Sequence, residues 1–405
     1  MKSIRTAQTL KIDISKGFLE GFVQASYQAL AQLILLEVYL KPQNLSGETE
    51  QALVFSSSFL GMFFSIFYGP IVQRFNLKKS TLVNIPTCLA SICLFLTVLV
   101  DNTNYFVAFI SLAHFLFPLR IPFMTEIYRD NYPDSKRGTY HSWALIASQV
   151  GSVLVIYIGG YILKSNPEYW KSVIVTMGVA GLLTCQLVRR IPTTKVKATE
   201  SKIRLFKGLS HLKTDRLFSY LLFIWFIFGF ANLWIFPIRV TYLSTELSLD
   251  PFTVSIYSAV LPEITRLVFL PFWAYLFDRI NFFLLRMILN IFLLLGIWFF
   301  FNSDSLLGIG LGAFLHGIGF SGGRLAWTLW VTKIAKKELT SDYMAVHVGS
   351  TGLRGVVGPF IGFYVLSTLP QNGDQYQYIS YISCLMVLVS ILMLFPILKH
   401  GRQNK

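Results

Sequence analysis

The chain has 405 residues, of which 54% are hydrophobic and 14% are charged. A soluble protein of this length does not carry so large an apolar fraction, so the composition excludes a soluble enzyme or binding module and indicates a membrane protein. The formal net charge of +15 can be interpreted only once its distribution along the chain is known.

Apolar runs long enough to cross the roughly 30 Å hydrocarbon layer recur from one end of the chain to the other. These runs are continuously apolar for about twice the length of a barrel strand, so the fold class is predicted to be all-α. The first run lacks a small-residue cleavage site and is treated as a mature helix rather than a signal peptide. Twelve spans are predicted, at residues 15–40, 52–74, 80–100, 104–125, 139–163, 170–189, 218–242, 253–277, 284–301, 305–331, 341–366 and 377–398.

The basic residues are distributed unevenly across the predicted membrane. With both termini in the cytoplasm, the basic residues that face outside are Lys41, Lys164 and Lys171. The others lie in cytoplasmic segments or within spans, which is the positive-inside pattern. The charge therefore indicates topology and contact with anionic lipid headgroups, and it argues against a nucleic-acid partner. We expect a multi-pass protein of the cell membrane, working as a monomer.

Neither the cysteines nor two short motifs indicate catalysis. The four cysteines lie in predicted spans without the spacing of metal ligands. In the tenth span, residues 319–323 fit G-x-S-x-G and residues 317–322 fit a dinucleotide fingerprint. Both motifs require a preceding strand, which is absent from the prediction, and glycines in such a span are typical of close helix packing in lipid. We expect no enzyme activity, metal or cofactor.

The longest polar segment divides the spans evenly. This basic linker, residues 191–216, separates a predicted bundle at 1–190 from a second at 217–405. Matches at an offset of 204 to 206 positions indicate that the halves are repeats, as in one large class of transporters. The matched sets are Gln73-Arg74-Phe75-Asn76 with Asp278-Arg279-Ile280-Asn281, Arg120 with Arg324, and His141 with His347.

The two matched loops carry a family signature. The first copy, "GPIVQRFNLKK" at residues 69–79, and the second, "AYLFDRINFF" at residues 274–283, resemble the G-x-x-x-D-R-x-G-R-R loop of the major facilitator superfamily. Asn76 and Asn281 stand where the family has glycine, and both are predicted to adopt positive φ. The resemblance covers the whole chain. It implies two pseudo-symmetric six-helix bundles, alternating access and a central cavity.

The same resemblance implies a set of gating residues. In the family, the loop acid faces the N-terminus of a helix in the other half, where the macrodipole attracts an anion. Asp278 is therefore expected near Arg137, while Gln73 cannot supply the equivalent charge. Arg74 and Arg279 complete the loop signatures. Further charges away from the middle of the membrane are gate candidates as well, namely Glu20, Arg120 and Arg324 in the inner third and Glu37 and Arg239 near the outer ends.

The eighth span carries an acid and a base one helical turn apart. A charge in mid-membrane costs about 2.5 to 3.5 kcal/mol on insertion scales, so Glu263 and Arg266 must gain something in return. At i and i+3 they can pair, and with Arg354 they lie near the midplane, where such carriers bind substrate. A static ion pair that only holds helices together is the alternative.

The arginine content of the spans slightly favours an anionic solute, because guanidinium binds carboxylate or phosphate in a two-pronged geometry. In the first span, Gln24, Gln28 and Gln32 share one face with Tyr27, and that face either lines a cavity or bonds to a neighbouring helix. The predicted substrate site comprises Arg266, Arg354, Gln24, Gln28, Tyr27 and Trp327. Glu263 is the leading candidate for proton coupling, with His114 and His316 as further titratable groups at matching places.

These features predict a secondary carrier that moves a small organic solute, with an anionic one favoured, together with protons. A multidrug/proton antiporter is an alternative, because Gly151, Gly159 and Gly160 match part of an exporter pattern while Val155 and Ile156 replace its Gly-Pro pair. A non-transporting membrane receptor or assembly partner is the alternative from another class.

Overall fold

The computed structural model describes residues 2–72, 75–133, 136–196, 204–277, 279–335, 339–370 and 373–401. These residues are helical, apart from turns, short connections and an isolated antiparallel bridge between Lys78 and Lys195. The predicted all-α class is confirmed. Among the predicted gating residues, Arg74 and Asp278 lie outside the described residues.

The first helices cover the predicted spans, although α1 begins well before residue 15. Helix α1 runs over Lys2–Ala25 and continues through residues 26–43, with π-helical turns at Ser26–Leu30 and Leu35–Leu40. The next five helices are α2 (Glu48–Val72), α3 (Lys79–Val98), α4 (Thr103–Asn131), α5 (Arg137–Ser165) and α6 (Pro167–Arg189).

The basic linker contains a helix of its own, α7 (Arg204–Thr214). The remaining helices are α8 (Arg216–Glu246), α9 (Pro251–Phe277), α10 (Phe282–Asn302), α11 (Leu306–Ile334), α12 (Thr340–Thr368) and α13 (Gln375–Lys399). Within the described residues, ten helices are long and apolar enough to cross a membrane, namely α2 to α6, α8 to α11 and α13. Helices α1 and α12 cover the other two predicted spans and are more polar.

The chain forms two compact units. Unit 1 comprises Met1–Ile203 with Ser248–Ser255, and unit 2 comprises Arg204–Leu247 with Ile256–Lys405. Small residues bring helices close together in each unit. A side chain at Gly21 of α1 would overlap the backbone of Ser148 on α5, and one at Gly312 of α11 would overlap the backbone of Phe300 on α10. The expected role of the α11 glycines in close packing is therefore confirmed.

The two asparagines predicted to replace turn glycines behave differently. Asn76 has a φ of 49°, as predicted. Asn281 has a φ of −55°, and its side chain accepts hydrogen bonds from the backbone N–H groups of Phe283 and Leu284. The prediction of positive φ at Asn281 was wrong, because this residue serves as the N-cap of α10, a role that requires a different backbone conformation.

Candidate functional site

Glu263 and Arg266 form an ion pair on α9, as their spacing predicts. The helix carrying them packs closely on α11, since a side chain at Gly317 would lie 2.7 Å from the Pro262 carbonyl oxygen. The Ser321 hydroxyl of α11 donates to the Arg266 carbonyl at 2.8 Å. Each side chain of the pair remains 12% exposed. Packing against α11 therefore positions the pair, while both side chains remain partly accessible.

The glutamine face of α1 divides into two parts. The Ser152 hydroxyl donates to the Gln28 side-chain oxygen at 2.5 Å, and the Gln32 amide donates to Gln51 at 2.9 Å. These two amides bond across helix interfaces in unit 1. Gln24 and Tyr27 are half-buried, with the Tyr27 ring edge-on to His114 at 5.7 Å. Gln24 and Tyr27 are thus the better placed members of the face to meet a solute.

The two histidines proposed for proton coupling are both hydrogen-bonded inside their units. His114 Nδ1 lies 2.9 Å from the Val54 carbonyl oxygen and Nε2 lies 2.9 Å from the Ser26 hydroxyl. Since a carbonyl only accepts, Nδ1 carries the proton. Arg239 Nη2 lies 2.7 Å from His316 Nδ1 and 3.1 Å from His316 Nε2, and because arginine only donates, the ring nitrogen that bonds to it is an acceptor. Both rings therefore have hydrogen-bonding roles within their own units.

Glu20 and Arg120 belong to a larger buried network in unit 1. Arg120 pairs with Glu20, and Lys16 lies 2.9 Å from Glu20 and 3.1 Å from Asp13. The hydroxyls of Tyr128 and Tyr132 each donate to Asp13 at 3.0 Å. We call this set the Lys16 network; its members are Asp13, Lys16, Glu20, Arg120, Tyr128 and Tyr132. Two acids balance two bases, so the network is electrically neutral.

Of this network, Glu20 and Arg120 were predicted from the sequence as gating residues. Asp13 precedes the first predicted span and Lys16 lies near its start, where a charge is ordinarily explained by its place at the cytoplasmic end. Their spacing nevertheless carries a signal, since Asp13, Lys16 and Glu20 lie at i, i+3 and i+7 on one helical face. The tyrosine partners are more than a hundred residues away in sequence and could not be found from spacing.

The other predicted gating residues lie apart from this network. Arg324 is exposed on α11 although its repeat partner Arg120 is buried, so the matched pair occupies different environments. Arg279 is exposed, with its guanidinium 3.4 Å from the centre of the Tyr275 ring. Arg137 is the first residue of α5 and lies 3.5 Å from the Arg129 carbonyl oxygen. The predicted approach of Asp278 to Arg137 concerns a residue outside the described part of the chain.

Arg354 and Trp327 meet at Thr351. Arg354 is 3% exposed and donates to the Trp225 carbonyl at 2.6 Å and to the Thr351 hydroxyl at 2.9 Å. The Trp327 indole N–H donates to the same hydroxyl at 3.2 Å. Two predicted substrate residues, from α11 and α12, are therefore joined by Thr351, which the sequence did not indicate.

Arg286 was also missed. It is 4% exposed, and its guanidinium carbon lies 4.1 Å from the ring centres of both Trp225 and Phe228. Its place three residues into the ninth predicted span is typical of a cytoplasmic, topology-determining arginine. Arg239 is likewise buried, at 2% exposure, and does not reach out of the bundle as an end-located arginine can. Buried arginine is thus concentrated in unit 2.

The sequence profile of the Major Facilitator Superfamily matches residues 17–359 and 235–405. The chain belongs to this superfamily. No curated protein matches the chain by sequence. Membership makes the protein a transporter rather than an enzyme, and it accounts for helices that bury ionisable residues at membrane depth.

Solved transporter structures share the fold of this superfamily member. The nucleoside transporter NupG is 16% identical with a TM-score of 0.76, covering 96% of this chain and 99% of its own. The xylose transporter XylE from E. coli is 16% identical with a TM-score of 0.69, covering 96% and 97%. A peptide transporter POT in complex with sulfate is 13% identical with a TM-score of 0.73, covering 99% of both chains. At these identities the likeness concerns the fold alone.

Proposed function

We propose that the protein is a secondary active transporter that moves a small organic anion together with a proton by alternating access. In this proposal twelve spans form two pseudo-symmetric six-helix bundles in the cell membrane, with both termini in the cytoplasm and the monomer as the working unit. The observation that carries it is the Glu263–Arg266 ion pair, in mid-helix and 12% exposed on each side chain. A proton-coupled carrier needs an acid that can gain and lose a proton and can release its ion-pair partner when it does so.

The pair supports a competition mechanism. While Glu263 is ionised it occupies the Arg266 guanidinium. Protonation removes the charge of Glu263 and weakens its hold on Arg266, so the guanidinium becomes available to a solute carboxylate or phosphate. Release of the proton on the other side of the membrane lets Glu263 displace the solute. One proton thereby accompanies each negative charge that binds Arg266.

The charge balance of unit 2 supports an anionic solute. Its buried arginines include Arg239, Arg286 and Arg354, at 2%, 4% and 3% exposure, and they outnumber the buried acid Asp342, at 4%. Glu263, the acid in the middle of α9, is already paired with Arg266. A surplus of cations in a region of low dielectric constant attracts anions and disfavours cationic solutes. This argument separates the proposal from an exporter of amphipathic cations.

Gln24 and Tyr27 of unit 1 are the proposed neutral contacts to the solute, with the half-buried exposure this role requires. Arg354 and Trp327 are proposed to act with Thr351 as a second polar group on unit 2. His114 and His316 are proposed to tune the site rather than to carry the proton, because each ring is already hydrogen-bonded.

The test uses purified protein in liposomes that contain a pH-sensitive dye. Lactate, succinate and glycerol phosphate are added outside as anions, with xylose, uridine and dialanine as uncharged or zwitterionic comparisons and protein-free liposomes as the leak control. We expect at least one anion to acidify the interior through the wild type, and Glu263→Gln and Arg266→Gln to abolish that signal.

Other outcomes contradict the proposal in distinct ways. Acidification by a neutral solute alone removes the anion claim while leaving proton coupling. Alkalinisation on adding an amphipathic cation indicates proton antiport and supports the exporter. No solute flux and no counterflow with any member of the panel supports a receptor or assembly partner.

A further inference from the structure

A second group of charged residues surrounds Trp225 in unit 2, on helices other than α9. The Trp225 ring lies 4.1 Å from the Arg286 guanidinium carbon and 5.3 Å from the His347 ring. Its carbonyl oxygen accepts the 2.6 Å hydrogen bond from Arg354. We call Trp225, Arg286, His347 and Arg354 the Trp225 cluster. It joins α8, α10 and α12 and was not predicted as a unit from the sequence.

The cluster contains several buried polar groups without partners. Arg286 Nη1 and Nη2, Arg354 Nε and both ring nitrogens of His347 have no hydrogen-bond partner among the described residues. All three side chains are more than nine-tenths buried, with His347 at 0% exposure. A buried donor without a hydrogen-bond partner destabilises the fold, and it does so more strongly when the group is charged. So many buried donors without partners in one place indicate a ligand that accepts hydrogen bonds.

Contacts within the protein do not replace this acceptor. The faces of Trp225 and Phe228 stabilise the Arg286 cation, but the N–H bonds of a guanidinium lie in its plane and still need acceptors. In the part of the chain that the structure describes, no ion pair joins Arg286 or Arg354 to an acid. The two arginines are close enough to interact electrostatically, so each increases the other's need for a counter-charge.

The packing around the cluster restricts what can bind. Gly229 lets the Arg354 guanidinium lie against the backbone of α8, since a side chain there would overlap it. A narrow cavity beside Arg286 is lined mainly by apolar groups, among them Trp225, Phe228 and Phe283, with the Asn290 side chain at its edge. This cavity is too narrow for an organic solute, and Arg286 is the charged side chain on its wall.

We propose that the Trp225 cluster binds a small inorganic anion with the size and charge of chloride, at a site separate from the Glu263–Arg266 pair. The anion accepts from the orphan N–H groups of Arg286 and Arg354 and from a ring N–H of His347. It offsets the charge of two buried guanidinium groups and ties α8, α10 and α12 together. The site does not depend on the identity of the transported solute.

The test is anion binding to the full-length protein in detergent. Chloride is titrated against gluconate at constant ionic strength, and the midpoint of thermal unfolding is recorded together with chloride-35 NMR line broadening. We expect a saturable rise of the midpoint and a saturable broadening in the wild type. Arg286→Gln should weaken chloride binding by about tenfold or more, because a hydrogen bond from a charged donor is among the stronger ones.

Two control variants locate the site. Arg129→Gln makes the same change of net charge at a side chain that is 64% exposed, and it should leave chloride affinity unchanged. Arg266→Gln should also retain the site, although it abolishes solute transport in the proposed function.

Several results would overturn the inference. If the wild type shows neither saturable broadening nor a chloride-dependent midpoint, the cluster binds no such anion; this measurement decides the matter even where Arg286→Gln fails to fold. If Arg266→Gln loses chloride binding while Arg286→Gln retains it, the anion sits on α9 instead. A failure of solute transport in the liposome assay does not change these chloride-binding results. Each of the two proposals can therefore be refuted without refuting the other.

Discussion

Replacement of Lys16 by methionine should destabilise unit 1 strongly. Lys16 is 1% exposed and lies within 3.1 Å of both Asp13 and Glu20. The Lys16→Met variant leaves two buried acids opposed by Arg120 alone. Breaking a buried ion pair by removing one partner costs about 3 to 5 kcal/mol, because the remaining charge is buried without compensation. We expect a loss of that size in the free energy of unfolding.

The double variant Asp13→Asn/Lys16→Met sharpens this prediction. It removes one charge of each sign, leaves the Glu20–Arg120 pair, and should recover at least about 1 kcal/mol relative to Lys16→Met. Equilibrium unfolding in mixed detergent micelles with increasing SDS measures the difference. Lys11→Met, at an exposed lysine of the same helix, serves as control and should change stability by less than about 0.5 kcal/mol. The reasoning is refuted if Lys16→Met costs under about 1 kcal/mol or if the double variant is no more stable.

Three further perturbations test other parts of the structure. Gly229→Ala should displace Arg354 and lower the free energy of unfolding in SDS by about 1 to 3 kcal/mol. The control Gly69→Ala, with open space around the added carbon, should be neutral or stabilising. Equal effects of the two variants would contradict the placement of Arg354. Gly160→Val should displace Ser255 from its contact with α5. A cysteine placed at position 255 should then be labelled faster than the same cysteine in a protein that keeps Gly160. An unchanged labelling rate would argue against the contact between Gly160 and Ser255. Burial opposes ionisation of Asp250, but hydrogen bonds from Thr253 and the charge of Lys164 hold its pKa below the ordinary value. A depressed pKa in the folded state means that the ionised form stabilises the fold above the unfolded pKa of about 3.9 and loses this effect as the pH falls through the folded value. Hydrogen exchange at the start of α9 should therefore be slower in the wild type than in Asp250→Asn at pH 7, and the difference between the two rates should shrink on acidification. A difference that does not depend on pH would contradict the stabilising role of ionised Asp250.

The sequence predicted the helices and the local ion pair because both depend on short spacing. An apolar run of about 20 residues specifies a span wherever it lies, and Glu263 and Arg266 at i and i+3 are neighbours in any α-helix. Asn76 was predicted correctly for the same reason, since a tight turn makes a local demand on φ. Asn281 occupies the same place in the repeat, yet it caps α10.

The charged clusters could not be assembled from the sequence, because their members come from helices far apart in the chain. Arg354 meets Trp225 across 129 residues, and Arg120 meets Glu20 across 100. A repeat offset also cannot tell whether two matched arginines share an environment, as buried Arg120 and exposed Arg324 show. Burial of Arg286 was missed because a basic residue at the inner end of a span is ordinarily explained by topology.

The coupling role of Glu263 is tested most directly by comparing exchange with accumulation in the same liposomes. For the solute identified by the dye assay, we expect Glu263→Gln to retain exchange of labelled for unlabelled solute, because a neutral side chain leaves Arg266 available. The same variant should no longer accumulate solute when a proton gradient is imposed, whereas Glu168→Gln, at an exposed acid in the first turn of α6, should accumulate it like the wild type. Proton-driven accumulation by Glu263→Gln at the wild-type level would contradict the account.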